Sequence, residues 1–210
     1  MRRNVLAGNE AVAAETRKML DGRGIVAVNL ISSPGAGKTT LLEKTLEALD
    51  GEIGCAVVTG DQRTDNDARR LSGKGANVAQ IETGDACHLN AGQVAESLDG
   101  VLEDGTKLLF IENVGNLVCP VAFDLGEHFK IALLSVAEGE DKPSKYPSLF
   151  ATASVVALTK IDLLPHLDFD LAACRKAVRG MRPGAFIFEL SAKTGEGMDK
   201  WLDYLRSLVD

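Results

Sequence analysis

The 210-residue sequence contains no apolar stretch near the ~20 residues that a membrane-spanning helix requires. Its first eight residues also lack the apolar core of a signal peptide. Lys and Arg are scarce, 23 against 30 Asp and Glu for a net charge of −7, and they form no basic run of the kind that nucleic-acid binders carry. These absences predict a cytoplasmic protein with no nucleic-acid partner and no membrane association.

Cysteine and histidine are also sparse, with four Cys and three His in the whole chain. The cysteines are too dispersed for a disulfide framework. Cys55 lies in an apolar run and Cys174 in an Ala-rich helical pattern, so we predict that both pack in the core. Of the three histidines only His88 adjoins a cysteine, Cys87.

Short apolar runs alternate with amphipathic stretches along most of the chain. This pattern predicts an α/β fold, with a mostly parallel central sheet and helices on both faces. The predicted strands are Ile25–Ile31, Cys55–Thr59, Val78–Ile81, Leu108–Ile111, Ile131–Val136, Val155–Leu158 and Phe186–Leu190. The predicted helices are Glu10–Leu20, Thr39–Leu49, Asp65–Ser72, Asn90–Leu98, Tyr146–Ala151, Leu171–Val178 and Met198–Leu208. We expect residues 1–24 to be a helical extension packed on a single domain of residues 25–210.

The segment between the first strand and its helix reads Ser-Ser-Pro-Gly-Ala-Gly-Lys-Thr-Thr, residues 32–40. It matches the phosphate-binding P-loop pattern except that Ser32 stands where the pattern has its first Gly. Backbone N–H groups of such a loop surround phosphate oxygens, the lysine reaches the β- and γ-phosphates, and the Thr hydroxyl binds Mg²⁺. We therefore predict a P-loop NTPase whose nucleotide contacts are Gly35, Ala36, Gly37, Lys38, Thr39 and Thr40.

Two acidic residues follow predicted strands at the edge of the sheet where the nucleotide should bind. Asp61 comes after the second strand and Glu112 after the fourth. Ligands of open α/β sheets lie beyond the carboxyl ends of the strands, so both acids are candidates to share Mg²⁺ with Thr39. We predict that Lys38, Thr39, Asp61 and Glu112 form the catalytic group. The competing interpretation of either acid is a structural charge at a strand or helix end.

Two later motifs favour GTP over ATP. Thr159-Lys160-Ile161-Asp162 resembles the Asn-Lys-x-Asp element of GTPases, in which the aspartate accepts two hydrogen bonds from guanine. Thr159 replaces the usual Asn, which braces the phosphate loop. Ser191-Ala192-Lys193 resembles the second guanine-binding loop. We expect Lys160, Asp162, Ser191, Ala192 and Lys193 to hold the base.

Cys87, His88 and Cys119 form a candidate soft-metal site. Thiolate and imidazole suit Zn²⁺ or Ni²⁺. Cys119 lies four residues beyond Gly115, in the loop that P-loop GTPases use to sense the γ-phosphate. Three ligands leave a tetrahedral ion one short, to be supplied by water, a partner or a second subunit. Without further support, packing is the more common role of such residues.

The chain as a whole resembles the hydrogenase nickel-incorporation GTPases, the HypB family. Besides the P-loop, the resemblance rests on residues 60–62 (Gly-Asp-Gln), 87–88 (Cys-His), 110–120 (Phe-Ile-Glu-Asn-Val-Gly-Asn-Leu-Val-Cys-Pro), 138–143 (Glu-Gly-Glu-Asp-Lys-Pro), 145–147 (Lys-Tyr-Pro) and 195–199 (Gly-Glu-Gly-Met-Asp).

This resemblance implies a SIMIBI-type GTPase of the cytoplasm that hydrolyses GTP to GDP and delivers nickel to [NiFe] hydrogenase. It implies a homodimer favoured by GTP and metal. It also implies a small zinc/nickel-binding accessory protein and the hydrogenase large-subunit precursor as partners. Many members carry an N-terminal Cys-rich or His-rich nickel motif, which this sequence lacks.

Three other functions remain open from the sequence. A small-molecule kinase could use the same phosphate loop, although the two guanine-type motifs argue against it. A passive metal-binding scaffold could hold GTP without turnover. A urease-type nickel-accessory GTPase is nearer, but its Cys-Pro-His motif has a proline that Cys87-His88 lacks.

Overall fold

The computed structural model describes residues 2–61 and 66–209. Within them, seven strands form one parallel sheet in the order β3-β2-β4-β1-β5-β6-β7. The strands are β1 (Val26–Ile31), β2 (Gly54–Asp61), β3 (Ala76–Glu82), β4 (Thr106–Glu112), β5 (Phe129–Ser135), β6 (Val155–Thr159) and β7 (Phe186–Glu189).

Eight α-helices accompany the sheet in the same residues. They are α1 (Arg2–Arg23), α2 (Lys38–Leu49), α3 (Asn66–Leu71), α4 (Ala91–Leu98), α5 (Lys142–Lys145), α6 (Pro147–Thr152), α7 (Leu171–Met181) and α8 (Met198–Arg206). Short 3₁₀ helices cover Cys119–Ala122, Val136–Glu138 and Ile161–His166. No helix of the described ranges is both long and apolar enough to cross a membrane.

Helices cover both faces because successive side chains of each strand point to opposite sides of the sheet. On β1, Val28 and Leu30 pack in the cluster that contains α2 and α8 residues. Ala27 packs with α1 and α4 residues on the opposite face, and Ile31 packs with α6 and α7 residues. The predicted α/β architecture with a parallel sheet is confirmed.

All seven predicted strands are present, with ends that differ by up to two residues from the prediction. Helix α1 extends to Arg2–Arg23 instead of Glu10–Leu20, since its first turns lack the apolar periodicity on which the prediction relied. Asp65, the predicted start of the third helix, lies outside the described residues, as does Gln62. The 3₁₀ helices and α5 were not predicted, because pieces of three to six residues carry too little periodicity.

The predicted core residues are buried. Cys55 and Cys174 lie in the interior, and burial raises the pKa of the Cys55 thiol to about 12 and that of Cys174 to about 11. Both therefore stay protonated and behave as small apolar side chains. Trp201 is fully buried, and its indole Nε1 donates to the Thr45 hydroxyl across 2.9 Å. The core-packing interpretation of both cysteines is confirmed.

Candidate nucleotide site and metal centre

The phosphate loop connects β1 to α2 at the carboxyl edge of the sheet. Gly35 and Gly37 have φ values of 76° and 96°, in the left-handed region that residues with a Cβ rarely adopt. Lys38 Nζ donates to the buried Ser32 hydroxyl across 3.0 Å. The serine at the first-glycine position therefore holds the lysine side chain across the loop.

Lys38 and Glu112 are both buried and both line a cavity of about 500 Å³. Burial lowers the pKa of Lys38, and burial raises the pKa of Glu112. The charge of each group opposes part of the other's shift. The cavity also includes Gly35, Gly37, Thr39 and Thr40 in its lining, so it has the composition of a triphosphate site.

The three residues proposed for magnesium all line this cavity. The Thr39 hydroxyl lies 2.7 Å from Glu112 Oε1, and the Thr59 hydroxyl donates to Glu112 Oε2 across 3.3 Å. Asp61 ends the neighbouring strand β2 and lines the same cavity. Hydroxyl and carboxylate oxygens are the ligands that Mg²⁺ prefers, so this donor set fits the ion.

Thr159 and Lys160 hold the phosphate loop from the side of β6. The Thr159 hydroxyl donates to the Ala36 carbonyl across 2.6 Å, and Lys160 Nζ donates to the Gly35 carbonyl across 2.7 Å. Lys160 adopts φ 60°, an unusual conformation for a residue with a side chain. Thr159 thus braces the loop in the way expected of the asparagine that it replaces.

Asp162 and Ser191 meet beside a second, largely apolar cavity of about 240 Å³. Ser191 Oγ donates to Asp162 Oδ1 across 2.6 Å, which orients the carboxylate, and Ala192 and Lys193 line the same cavity. The two cavities share Gly37, Thr40 and Lys160 in their linings. One nucleotide can therefore extend from the phosphate cavity into the base cavity.

The three candidate soft ligands lie together beyond the carboxyl ends of β3 and β4. One donor atom each from Cys87, His88 and Cys119 lies within 4.8 Å of the other two, and all three residues are half-buried. Cys87 and His88 follow β3, whereas Cys119 begins a 3₁₀ helix in the loop after β4. The structure therefore brings together the three residues that the sequence groups as a candidate metal site.

Local contacts orient the cluster. Asn116 Oδ1 accepts from the backbone N–H of Cys119 across 3.3 Å, and the His88 ring lies 4.0 Å from the Phe123 ring, centroid to centroid. A hydrogen bond with Cys119 raises the pKa of Cys87, and burial lowers the pKa of His88. Neutral imidazole is the metal-binding form, and metal must displace the thiol proton.

The remaining histidines lie elsewhere. His128 Nδ1 accepts from the Ala27 N–H across 2.8 Å, and its Nε2 lies 2.9 Å from Asp21 Oδ1. It joins β1 to α1 and has no place in the cluster. His166 ends a 3₁₀ helix after β6, on the base side of the nucleotide site.

Sequence inspection missed several residues around the phosphate loop. Glu138 accepts a hydrogen bond from Ser33 Oγ and caps its own 3₁₀ turn. Arg70 lines the phosphate cavity and donates to the Thr40 hydroxyl across 3.1 Å. Glu138 was noted within a motif, but nothing in its spacing indicated a contact with a residue more than 100 positions earlier.

The phosphate loop, the acids at the strand ends and the separate base cavity define a P-loop nucleotide-binding protein. The family model of the CobW/HypB/UreG nucleotide-binding domain matches residues 26–189. The hydrogenase maturation factor HypB of Escherichia coli K12 is 49% identical over 204 residues, which are 97% of this chain and 70% of that protein. The chain therefore spans little more than two thirds of this relative.

Solved structures agree. HypB from Archaeoglobus fulgidus superimposes with a TM-score of 0.91 at 36% identity, covering 98% of this chain and 100% of that one. HypB from Helicobacter pylori in complex with nickel gives 0.90 at 37% identity, covering 96% and 95%. At 13% identity, the signal recognition particle receptor FtsY from Elizabethkingia anophelis shares the fold alone, with a TM-score of 0.60 and coverages of 96% and 73%. The expected SIMIBI-type fold is thus confirmed, and this chain belongs to the HypB family of hydrogenase maturation factors.

Proposed function

We propose that this chain is a GTP-hydrolysing metallochaperone of the cytoplasm that delivers nickel during [NiFe] hydrogenase maturation. The observation that carries the proposal is the clustering of the Cys87, His88 and Cys119 donor atoms within 4.8 Å. Cys119 belongs to the loop that leaves Glu112 at the phosphate cavity. The maturation-factor relatives and the nickel complex of the H. pylori protein support the same role.

Guanine is the base that the second cavity suits. The Asp162 carboxylate, oriented by Ser191, can accept hydrogen bonds from the N–H groups on the guanine edge, which adenine does not present. Adenine would leave this charged acceptor without its partners, which costs binding free energy. GTP is therefore the expected nucleotide, and the kinase alternative predicts a preference for ATP.

Hydrolysis requires positioning and charge neutralisation more than covalent chemistry from the protein. The phosphate-loop N–H groups orient the β- and γ-phosphates, and Lys38 places a positive charge beside them. Mg²⁺, bound at Thr39, Asp61 and Glu112, would neutralise charge that develops on the transferring phosphoryl group. The hydrogen bonds from Thr159 and Lys160 hold the phosphate loop in the conformation that would contact the phosphates.

Nickel is the cargo, and Zn²⁺ can compete for the same soft ligands. One chain offers a thiolate pair and an imidazole, so a tetrahedral ion lacks one ligand. A second copy of the chain is the proposed source, in a homodimer favoured by GTP and metal that brings the two clusters together. A small zinc/nickel-binding accessory protein and the hydrogenase large-subunit precursor are the proposed onward partners.

Metal binding by two cysteine variants tests the cluster. Cys119→Ala should bind Ni²⁺ or Zn²⁺ at least about tenfold more weakly than wild type, since one of three ligands is lost. Cys174→Ala removes a thiol from the core and should leave metal affinity unchanged. GTP binding should survive in both variants. If Cys119→Ala binds metal as tightly as the wild-type protein, the proposed metal centre is refuted. If the wild-type protein binds GTP but does not hydrolyse it, the passive-scaffold alternative is favoured.

A further inference from the structure

Asn113 lines the phosphate cavity at the start of the segment that carries Cys119, and it belongs to neither candidate ligand set. It follows Glu112 directly, and its backbone N–H donates to the Leu30 carbonyl of β1 across 3.1 Å. Its side chain is 1% exposed. The loop that carries Cys119 begins immediately after it.

The Asn113 amide has one possible orientation. Its Oδ1 accepts from the backbone N–H groups of Leu89 and Val114 across 3.2 and 3.0 Å, which only an oxygen can do. Its Nδ2 then donates to Asn29 Oδ1 across 3.2 Å, and Asn29 Nδ2 donates to Glu127 Oε1 across 3.2 Å. All these side chains are buried, so each hydrogen bond is costly to lose.

Leu89 connects this network to the metal cluster. It follows Cys87 and His88 directly in the chain, and it is fully buried. Its side chain packs so closely on Gly60 that a Cβ there would lie 2.8 Å from the leucine. Leu89 can therefore move little unless the ends of β2 and β4 move with it, and its neighbour His88 is tied to the same point.

The other end of the network touches the phosphate loop. Gly115, two residues beyond Asn113, packs against Pro34 so closely that a Cβ would lie 3.0 Å from three Pro34 atoms. A shift of the phosphate loop or of Glu112 is thus transmitted to the backbone on either side of Asn113. Interiors packed at this density transmit small displacements instead of absorbing them.

We propose that Asn113 is a positioning residue that couples the nucleotide to the metal: its amide transmits the state of the phosphate cavity to Cys87 and His88 through the Leu89 N–H. Cys119 responds through the loop itself, so both halves of the ligand set move with the same nucleotide. This inference rests on the proposed function, because it requires a metal site whose affinity depends on the nucleotide.

The test compares Ni²⁺ affinity at saturating GDP and at a saturating non-hydrolysable GTP analogue. In wild type the two dissociation constants should differ by about 5- to 150-fold, the usual range for coupled sites. In Asn113→Ala the ratio should fall to within about twofold of one, since the Leu89 N–H loses its acceptor. Asn77→Ala is the matched control, because Asn77 is a partly buried asparagine that donates to the Val101 carbonyl away from both sites.

Amide hydrogen exchange in the wild-type protein provides a second readout that needs no variant. The Leu89 N–H should exchange more slowly with the GTP analogue than with GDP, because its hydrogen bond to Asn113 should open less often in that state. If Asn113→Ala keeps the wild-type ratio of metal affinities, or if the Leu89 N–H exchanges at the same rate with GDP and with the GTP analogue, the role of Asn113 is overturned. The proposed function would not be affected by either result. Equal metal affinity in both nucleotide states of wild type overturns the coupling in the proposed function, and this inference with it.

Discussion

Lys38 is the residue on which the phosphate site depends most. Its ammonium group is buried and lies 3.0 Å from the Ser32 hydroxyl. Burial lowers the pKa of Lys38, while the charge of Glu112 favours the protonated form. A bound triphosphate adds further negative charge, so the lysine is charged when it is needed.

Replacing Lys38 with Ala should reduce GTP turnover by about 100-fold or more, the scale of losing one charge contact to a transition state. The measurement is phosphate release under saturating GTP. Lys44→Ala is the matched control, since Lys44 lies on the exposed side of α2 and pairs with Glu47. Turnover of Lys38→Ala within a few-fold of wild type would contradict the assignment of the phosphate loop.

Asp162 should decide which base is bound. Asp162→Asn should weaken GTP binding by about 10- to 100-fold, because hydrogen bonds to a charged group contribute about 1.5–3 kcal/mol. The same variant should gain affinity for xanthosine triphosphate, whose carbonyl accepts from the new amide. Competition binding with both nucleotides measures the change. Asp170→Asn is the matched control, because Asp170 is the N-cap of α7 and asparagine caps a helix about as well as aspartate. Unchanged GTP affinity in Asp162→Asn would show that this residue does not contact the base.

The sequence predicted residues that line the two cavities, but not the hydrogen bonds that hold them in place. The motif residues were found because phosphate and guanine chemistry impose types and spacings. Thr159 departs from the usual Asn, and the sequence could not tell that its hydroxyl reaches the Ala36 carbonyl. Asn113 carried no motif role of its own, since its importance comes from three hydrogen bonds that only the folded chain creates.

Helix α1 connects the two segments that carry the candidate metal ligands. Asn9 accepts from the Ala91 N–H across 2.8 Å at the start of α4, and it donates to the Asp124 carbonyl across 2.6 Å. Arg17 reaches the Glu127 carbonyl and the Asp124 carboxylate in the same loop. The helix therefore stabilises the loop after β4 against the segment after β3.

Arg17→Ala should destabilise the protein by about 1–2 kcal/mol, from the lost hydrogen bonds of a partly exposed side chain. For a chain of this size that corresponds to a fall in Tm of about 2–8 °C. Lys18→Ala changes an exposed neighbour on the same helix and should leave Tm within about 1 °C. A Tm of Arg17→Ala equal to wild type would show that α1 contributes no stability through this contact.

Strands and helices were predictable from the sequence where burial imposes a regular spacing of apolar residues. The strands appear as apolar runs because both faces of a parallel sheet are covered, and α2, α7 and α8 repeat their apolar residues every three to four positions. The Asn113–His128 segment connects β4 to β5. Its 3₁₀ turn at Cys119–Ala122 follows from local contacts of Asn116 and Pro120, which no periodicity reports.

For the whole molecule, the proposed function requires that two sites on one edge of the sheet are thermodynamically coupled. The phosphate cavity and the metal cluster share the segment from Glu112 to Cys119. Each chain supplies three candidate ligands, so in the proposed homodimer a second copy would complete the coordination and dimerisation would be part of metal binding. Linkage then makes the effect reciprocal: if GTP tightens metal binding, metal must tighten GTP binding by the same factor.

The most direct test of this central claim is a Ni²⁺ titration of the nucleotide-free, GDP-bound and GTP-analogue-bound protein, with molar mass measured at every step. We expect the GTP analogue to tighten metal binding by about 5- to 150-fold relative to GDP. We also expect metal and the GTP analogue together to double the molar mass. The same metal affinity in the GDP and GTP-analogue states, with the protein monomeric throughout, would contradict the proposed coupling.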